Sequence, residues 1–171
     1  MNATSDDEIS AELVHVVHVD ESSGEPQRTY LALADRDGLS VSIDGDNESF
    51  RPAAETRERR YKTSETVDIE VTSPRDRDDE LLETLGLVDD DGKLQLRGGE
   101  TVVDSDDDEY IELIYFDRNN PNGIDDAQTI DRYADVKLGN DIEWEVSETP
   151  PLLSWTWWVE GDIWLGYEDE E

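Results

Sequence analysis

His15 and His18 are the only histidines in the chain, and they sit three positions apart. On a helix that spacing would let both imidazoles reach one ion. They lie in Leu13–Val19 (LVHVVHV), a β-branched run that reads as a strand, where residues three apart point to opposite faces. Each is therefore expected to be a strand histidine with an ordinary hydrogen bond. Asp104, Asp106 and Asp108 resemble the opening of a calcium loop. That loop needs Gly at its sixth position and a bidentate Glu at its twelfth. Glu109 and Tyr115 stand there instead, so the motif fails. Asp89-Asp90-Asp91 is a similar acidic turn, and both tracts are expected to be solvated turns. No phosphate-binding Gly loop, nucleophile elbow or His-Glu zinc motif occurs, and Ser64 and Ser154 lack motif context. No pair among the 47 acidic residues is singled out for acid–base work. Cys is absent, which removes disulfides, thiolate metal sites and cysteine nucleophiles. No cofactor, metal site or catalytic residue is expected.

Two other features carry more information. Trp144, Trp155, Trp157, Trp158 and Trp164 crowd the C-terminal part. Trp155 and Trp157 share one strand face and Trp158 takes the other. A platform for stacking a sugar or a base is one reading. Core and subunit-contact aromatics are the favoured one, because large rings bury well. The second feature is basic. Arg51, Arg57, Arg59, Arg60 and Lys62 are five of only fourteen basic residues, and they fall within twelve positions. With Phe50 and Tyr61 as apolar anchors, the segment reads as an arm that docks on an acidic surface of another copy.

Elements of a β domain must position these residues. Leu13–Val19, Arg28–Ala34 and Leu39–Ile43 read as strands, the last two joined by an Asp-Gly hairpin turn at 35–38. Residues 44–64 lack apolar periodicity and are expected to form a long loop. Thr66–Thr72 alternates strictly and is a half-buried strand. Residues 76–85 form a short helix with Leu81, Leu82 and Leu85 as its stripe and Gly86 as its stop. Short strands follow at Lys93–Leu96, Thr101–Val103, Glu109–Asp117, Tyr133–Leu138 and Ile142–Val146. Residues 118–131 read as a loop, and Leu152–Tyr167 as two strands split at 160–162. The fold class is mainly β, a sandwich or barrel-like domain with one flanking helix. A single domain spans 1–171, with 1–10 and 168–171 as flexible or docking termini.

The net charge is −33 in 171 residues. Such charge opposes compaction unless salt screens it, and near 1 M the Debye length is only about 3 Å. Yet 35% of the chain is apolar, too much for a disordered acidic tail. With three Lys against eleven Arg, the composition resembles haloarchaeal proteins and points to a high-salt setting. A basic stripe for gripping nucleic acid is missing. No apolar leader or membrane span is seen, so a soluble protein made in the cytoplasm is expected.

The order of elements carries a resemblance. A strand leads into a long connection, then KTSETVDIEVT (62–72) and an acidic helix. YIELIYFD (110–117), RYADVKL (132–138), IEWEVS (142–147) and WTWWVEGDIW (155–164) follow. Across roughly 28–165 this arrangement resembles the major tail tube proteins of long-tailed viruses, in a haloarchaeal version. The resemblance implies a β-sandwich whose copies form six-membered rings with a shared inner barrel. The rings would stack through the long loop and the termini. It implies a virion tail location and a conduit through which double-stranded DNA passes without specific binding. The implied partners are the chain itself and other tail proteins, with no membrane and no enzymatic role. A jelly-roll capsid or decoration protein and a soluble sugar-binding β-sandwich module stand as alternatives.

Overall fold

The computed structural model describes residues 13–35, 37–50, 59–74, 80–89, 91–95, 101–116, 127–139, 142–146 and 151–168. Eleven strands and one helix are formed among them: β1 (Leu13–Asp20), β2 (Gln27–Asp35), β3 (Leu39–Phe50), β4 (Arg59–Pro74), α1 (Glu80–Thr84), β5 (Thr101–Val103), β6 (Glu109–Phe116), β7 (Thr129–Tyr133), β8 (Val136–Leu138), β9 (Glu143–Glu145), β10 (Leu152–Val159) and β11 (Ile163–Trp164). They make two antiparallel sheets. Sheet A runs β11-β7-β6-β1-β2, and sheet B runs β3-β4-β10-β8-β5 with β9 added beside β10. This is the mainly β, sandwich-like fold with one short helix that the alternating sequence pattern implies.

The sheets pack through one apolar layer. Val14, Val16, Ile111, Leu113 and Tyr133 of sheet A meet Ile69, Val71, Val136, Leu138, Leu153, Trp155 and Trp157 of sheet B. Leu81, Leu82 and Leu85 bring α1 onto the same core. Gly86 stops the helix as its sequence position implies. It sits at φ +73°, its N–H donates to Glu83, and the Leu87 N–H donates to Leu82. That is a Schellman closure. Residues 76–79 of the expected helix lie outside the described residues.

Five expectations are corrected. Residues 44–64 are not one long loop: β3 continues to Phe50 and β4 begins at Arg59, the two pairing from Asp44↔Thr66 to Phe50↔Arg59, while 51–58 lie outside the described residues. Side chains that are polar on both faces leave no periodicity to read, while the hydrogen-bond ladder started at Leu39↔Val71 simply propagates. A register shift between Asp46 and Asn47, next to Gly45, marks a bulge. The turn at 35–38 does not close a hairpin, because β2 belongs to sheet A and β3 to sheet B. Tyr133–Leu138 is not one strand but two. Asp135 turns with φ +52°, and the chain passes from sheet A to sheet B. The loop expected at 118–131 also ends early, since β7 starts at Thr129. Of the strand expected at 93–96, only a single bridge between Val88 and Leu94 is formed among the described residues.

The β7-to-β8 crossover is fastened to the β10-to-β11 crossover. Ala134 N–H donates to Asp162 O (2.9 Å), Glu160 N–H to Asp135 O (2.8 Å) and Gly161 N–H to Ala134 O (3.2 Å). The Asp135 carboxylate accepts from Ser105 N–H at 2.9 Å. A Cβ on residue 161 would come within 2.8 Å of Ala134 O, so only Gly fits this approach.

A candidate assembly surface

The basic segment is placed on the β3–β4 hairpin. Phe50 pairs with Arg59, Ser49 with Arg60, Glu48 with Tyr61 and Asn47 with Lys62. Arg51 and Arg57 lie outside the described residues. The hairpin runs seven residues beyond the Ile43↔Val67 pair. At about 3.3 Å per residue that is roughly 23 Å of arm. Val41 and Ile43 near its base are exposed, so the apolar face of sheet B overhangs sheet A here.

The two faces that point away from the core differ in chemistry. On sheet B, β3, β4 and β10 present Ser40, Ser42, Asp68, Glu70, Thr72, Ser154 and Thr156, all exposed or half-buried. The Thr72 and Ser154 hydroxyls are hydrogen-bonded at 2.9 Å. Lys137 of β8 is neutralised by Glu160 at 2.9 Å. Apart from Leu152 and Trp158 of β10, this face is hydroxylic and acidic.

The corresponding face of sheet A is closed. Val17, Val19, Ile114 and Phe116 form a second, fully buried cluster. Beside it lies a charge network that local sequence reading misses. Glu112 is fully buried and accepts from Arg28 Nε at 2.9 Å and from Arg132 Nη2 at 3.3 Å. Arg132 also donates to Glu21 at 2.8 Å. Its guanidinium carbon lies 3.8 Å from the Tyr167 ring centroid and 4.6 Å from that of Tyr110. Burial alone would lower the Arg132 pKa. The Glu21 hydrogen bond and the Glu112 charge outweigh it and hold the pKa above its ordinary value. The only local signal was Glu112 standing among Ile111, Leu113 and Ile114.

Trp155 and Trp157 are core residues, edge-on to each other at 5.5 Å. Their indole N–H groups are buried without a hydrogen-bond partner, as is that of Trp144, which packs on the core's edge. Trp158 lies on the opposite face, against Gly139. Trp164 is 39% exposed and stands edge-on to Tyr110 and Tyr167. His15 points away from the core, its ring edge-on to Tyr30 and Phe116. His18 lies 3.7 Å from Glu109. The Asp104 carboxylate accepts from the Asp106 N–H and caps one turn of 3-10 helix. Among the described residues no group of three or more His, Asp or Glu gathers as a metal site, and no helix is long and apolar enough to cross a membrane.

No protein-family model matches the sequence, and no curated protein matches it. Solved structures match the fold. A chain in the six-fold symmetrised baseplate of an anti-feeding prophage aligns with a TM-score of 0.55 at 10% identity, covering 96% of this chain and 97% of that one. A chain in the extended sheath-tube complex of an extracellular contractile injection system, PVC, gives 0.51 at 11% identity, covering 96% and 98%. The chain thus shares its fold, along nearly its whole length, with a chain of a baseplate and a chain of a sheath-tube complex.

Proposed function

We propose that this protein is a tail tube subunit of a haloarchaeal tailed virus, assembling into stacked six-membered rings that conduct double-stranded DNA. One observation carries the reading. Nearly the entire chain, and nearly the entire partner chain, align between this fold and chains of a six-fold symmetrised baseplate and a sheath-tube complex. The hairpin arm is the ring-to-ring contact, with Phe50, Arg51, Arg57, Arg59, Arg60, Tyr61 and Lys62 at its end. The open face of sheet B, acidic and hydroxylic, lines the lumen. Its carboxylates repel phosphates, so DNA meets no basic site to grip it. Molar salt screens the subunits from one another. The role is structural, without catalysis or cofactor.

The injection-system relatives favour a second reading, a tube of the same build carrying another cargo. Electron microscopy and sedimentation of the purified chain in molar KCl test the assembly, with six-fold rings or tubes expected. A monomer at every concentration overturns it. Replacing Arg57, Arg59 and Arg60 together by Ser should leave rings that do not stack, and normal tubes would refute the arm's role. Nuclease-protected DNA inside particles from producing cells supports the viral reading, and its absence supports the second.

A further inference from the structure

The turn at 21–26 and the C-terminal strap 163–168 enclose an open cleft of about 800 Å³, lined by Glu21, Pro26, Trp164, Leu165, Tyr167 and Glu168 among others. Leu165 is 75% exposed on it, next to the half-exposed Trp164, in a chain that buries most of its large apolar side chains. The cleft has no basic lining residue.

We infer that this cleft receives the Arg-rich end of the β3–β4 hairpin of a second copy. The inference rests on the assembly reading above and names the receiving surface. The chain itself shows the chemistry beside the cleft: Arg132 lies against the Tyr167 ring while its guanidinium donates to Glu21. Trp164 with Glu168 offers the same combination, an aromatic ring and a carboxylate, to an arriving guanidinium. In molar salt the ring stacking and the apolar shelf of Leu165 and Pro26 outlast the screened charge attraction.

Charge selects the occupant. Residues 51–62 hold five basic and two acidic residues, against −33 for the whole chain. The chain's own ends are repelled, since residues 1–12 have four acids and no base and residues 169–171 are all acidic. Topology makes the contact heterologous. The hairpin leaves from β3 at one edge of sheet B, beside β4, over which β2 packs. The cleft lies at β11, the edge of sheet A opposite β2. A contact between two different patches repeats from copy to copy and builds rings or stacks.

A chain without Cys allows a direct test. Leu165→Cys and Arg59→Cys proteins are mixed, assembled in molar KCl and mildly oxidised. A disulfide-linked dimer is expected from the mixture, and not from Arg59→Cys mixed with Ser42→Cys. Tubes that form without the Leu165–Arg59 link overturn the docking site and leave the assembly reading standing. Absence of both tubes and link overturns both. As a second arm, Trp164→Ala should lose stacking with little change in the denaturation midpoint, and tubes of normal length would overturn the inference.

Discussion

Sheet A and sheet B share one core but treat their other faces in opposite ways. Sheet A closes its outer face over a second apolar cluster and over Glu112 and Arg132. Sheet B leaves its outer face wet, and its edge strand runs on into a polar arm. The difference shows what a very acidic chain does with scarce cations. Arg28 and Arg132 hold a carboxylate inside the body, where desolvation makes the pairing matter. Arg59, Arg60 and Lys62 instead stand on the β3–β4 hairpin, beyond the Ile43↔Val67 pair.

The contrast can be broken most strongly in sheet A. Arg132→Met leaves Glu112 buried with Arg28 as its remaining partner in the network, and should cost about 3–5 kcal/mol. Guanidinium denaturation in constant molar KCl checks this. A loss below about 1 kcal/mol would mean that water reaches Glu112. On sheet B the matched change, Asp68→Asn with Glu70→Gln, should stay within about 0.5 kcal/mol. Its sign sharpens the contrast: relief of like-charge repulsion should make it stabilising at low salt, an advantage that fades as KCl rises. The smallest effect concerns His15. Burial against Tyr30 and Phe116 lowers its pKa from the ordinary 6.5. The unfolded chain therefore takes up a proton that the folded chain still declines. Stability from this group is constant above 6.5 and falls as the pH drops from there through the lower folded value. His15→Leu should flatten the pH dependence in that window, and unchanged slopes in the two proteins would show that His15 is not the group responsible.

Local pattern revealed the parts of the fold whose burial alternates. L-S-W-T-W-W-V put Trp155 and Trp157 on one face and Trp158 on the other, as found, and the structure makes the first face the inner one. Leu81, Leu82, Leu85 and Gly86 marked the helix and its end. The hairpin arm was hidden because both of its faces are polar, and pairing rather than burial defines it. Glu112 was hidden for a different reason. Its partners Arg28 and Arg132 lie 84 and 20 positions away, so no window of sequence contains them. The turn at Asp135 was hidden because a single non-Gly residue with positive φ is set by its tertiary contacts, here the N–H groups of Glu160 and Ser105 that donate to it. The basic cluster at 51–62 was plain from counting alone, whereas the cleft we propose as its receptor needed three-dimensional proximity between residues 21–26 and 163–168.

The fastened crossovers at Ala134–Asp135 and Glu160–Asp162 bear on mechanics. Two of the chain's passages between the layers, β7 to β8 and β10 to β11, meet in one small clasp of main-chain hydrogen bonds, with Gly161 at its tightest point. Pulling the two sheets apart near that edge loads these bonds together, while on the β2 side the layers are tied by Thr72 N–H to Gly38 O and by Ser73 Oγ to Leu33 O. The clasp at residues 134–135 and 160–162 is thus a main-chain rivet between the layers, one that holds only while residue 161 is Gly.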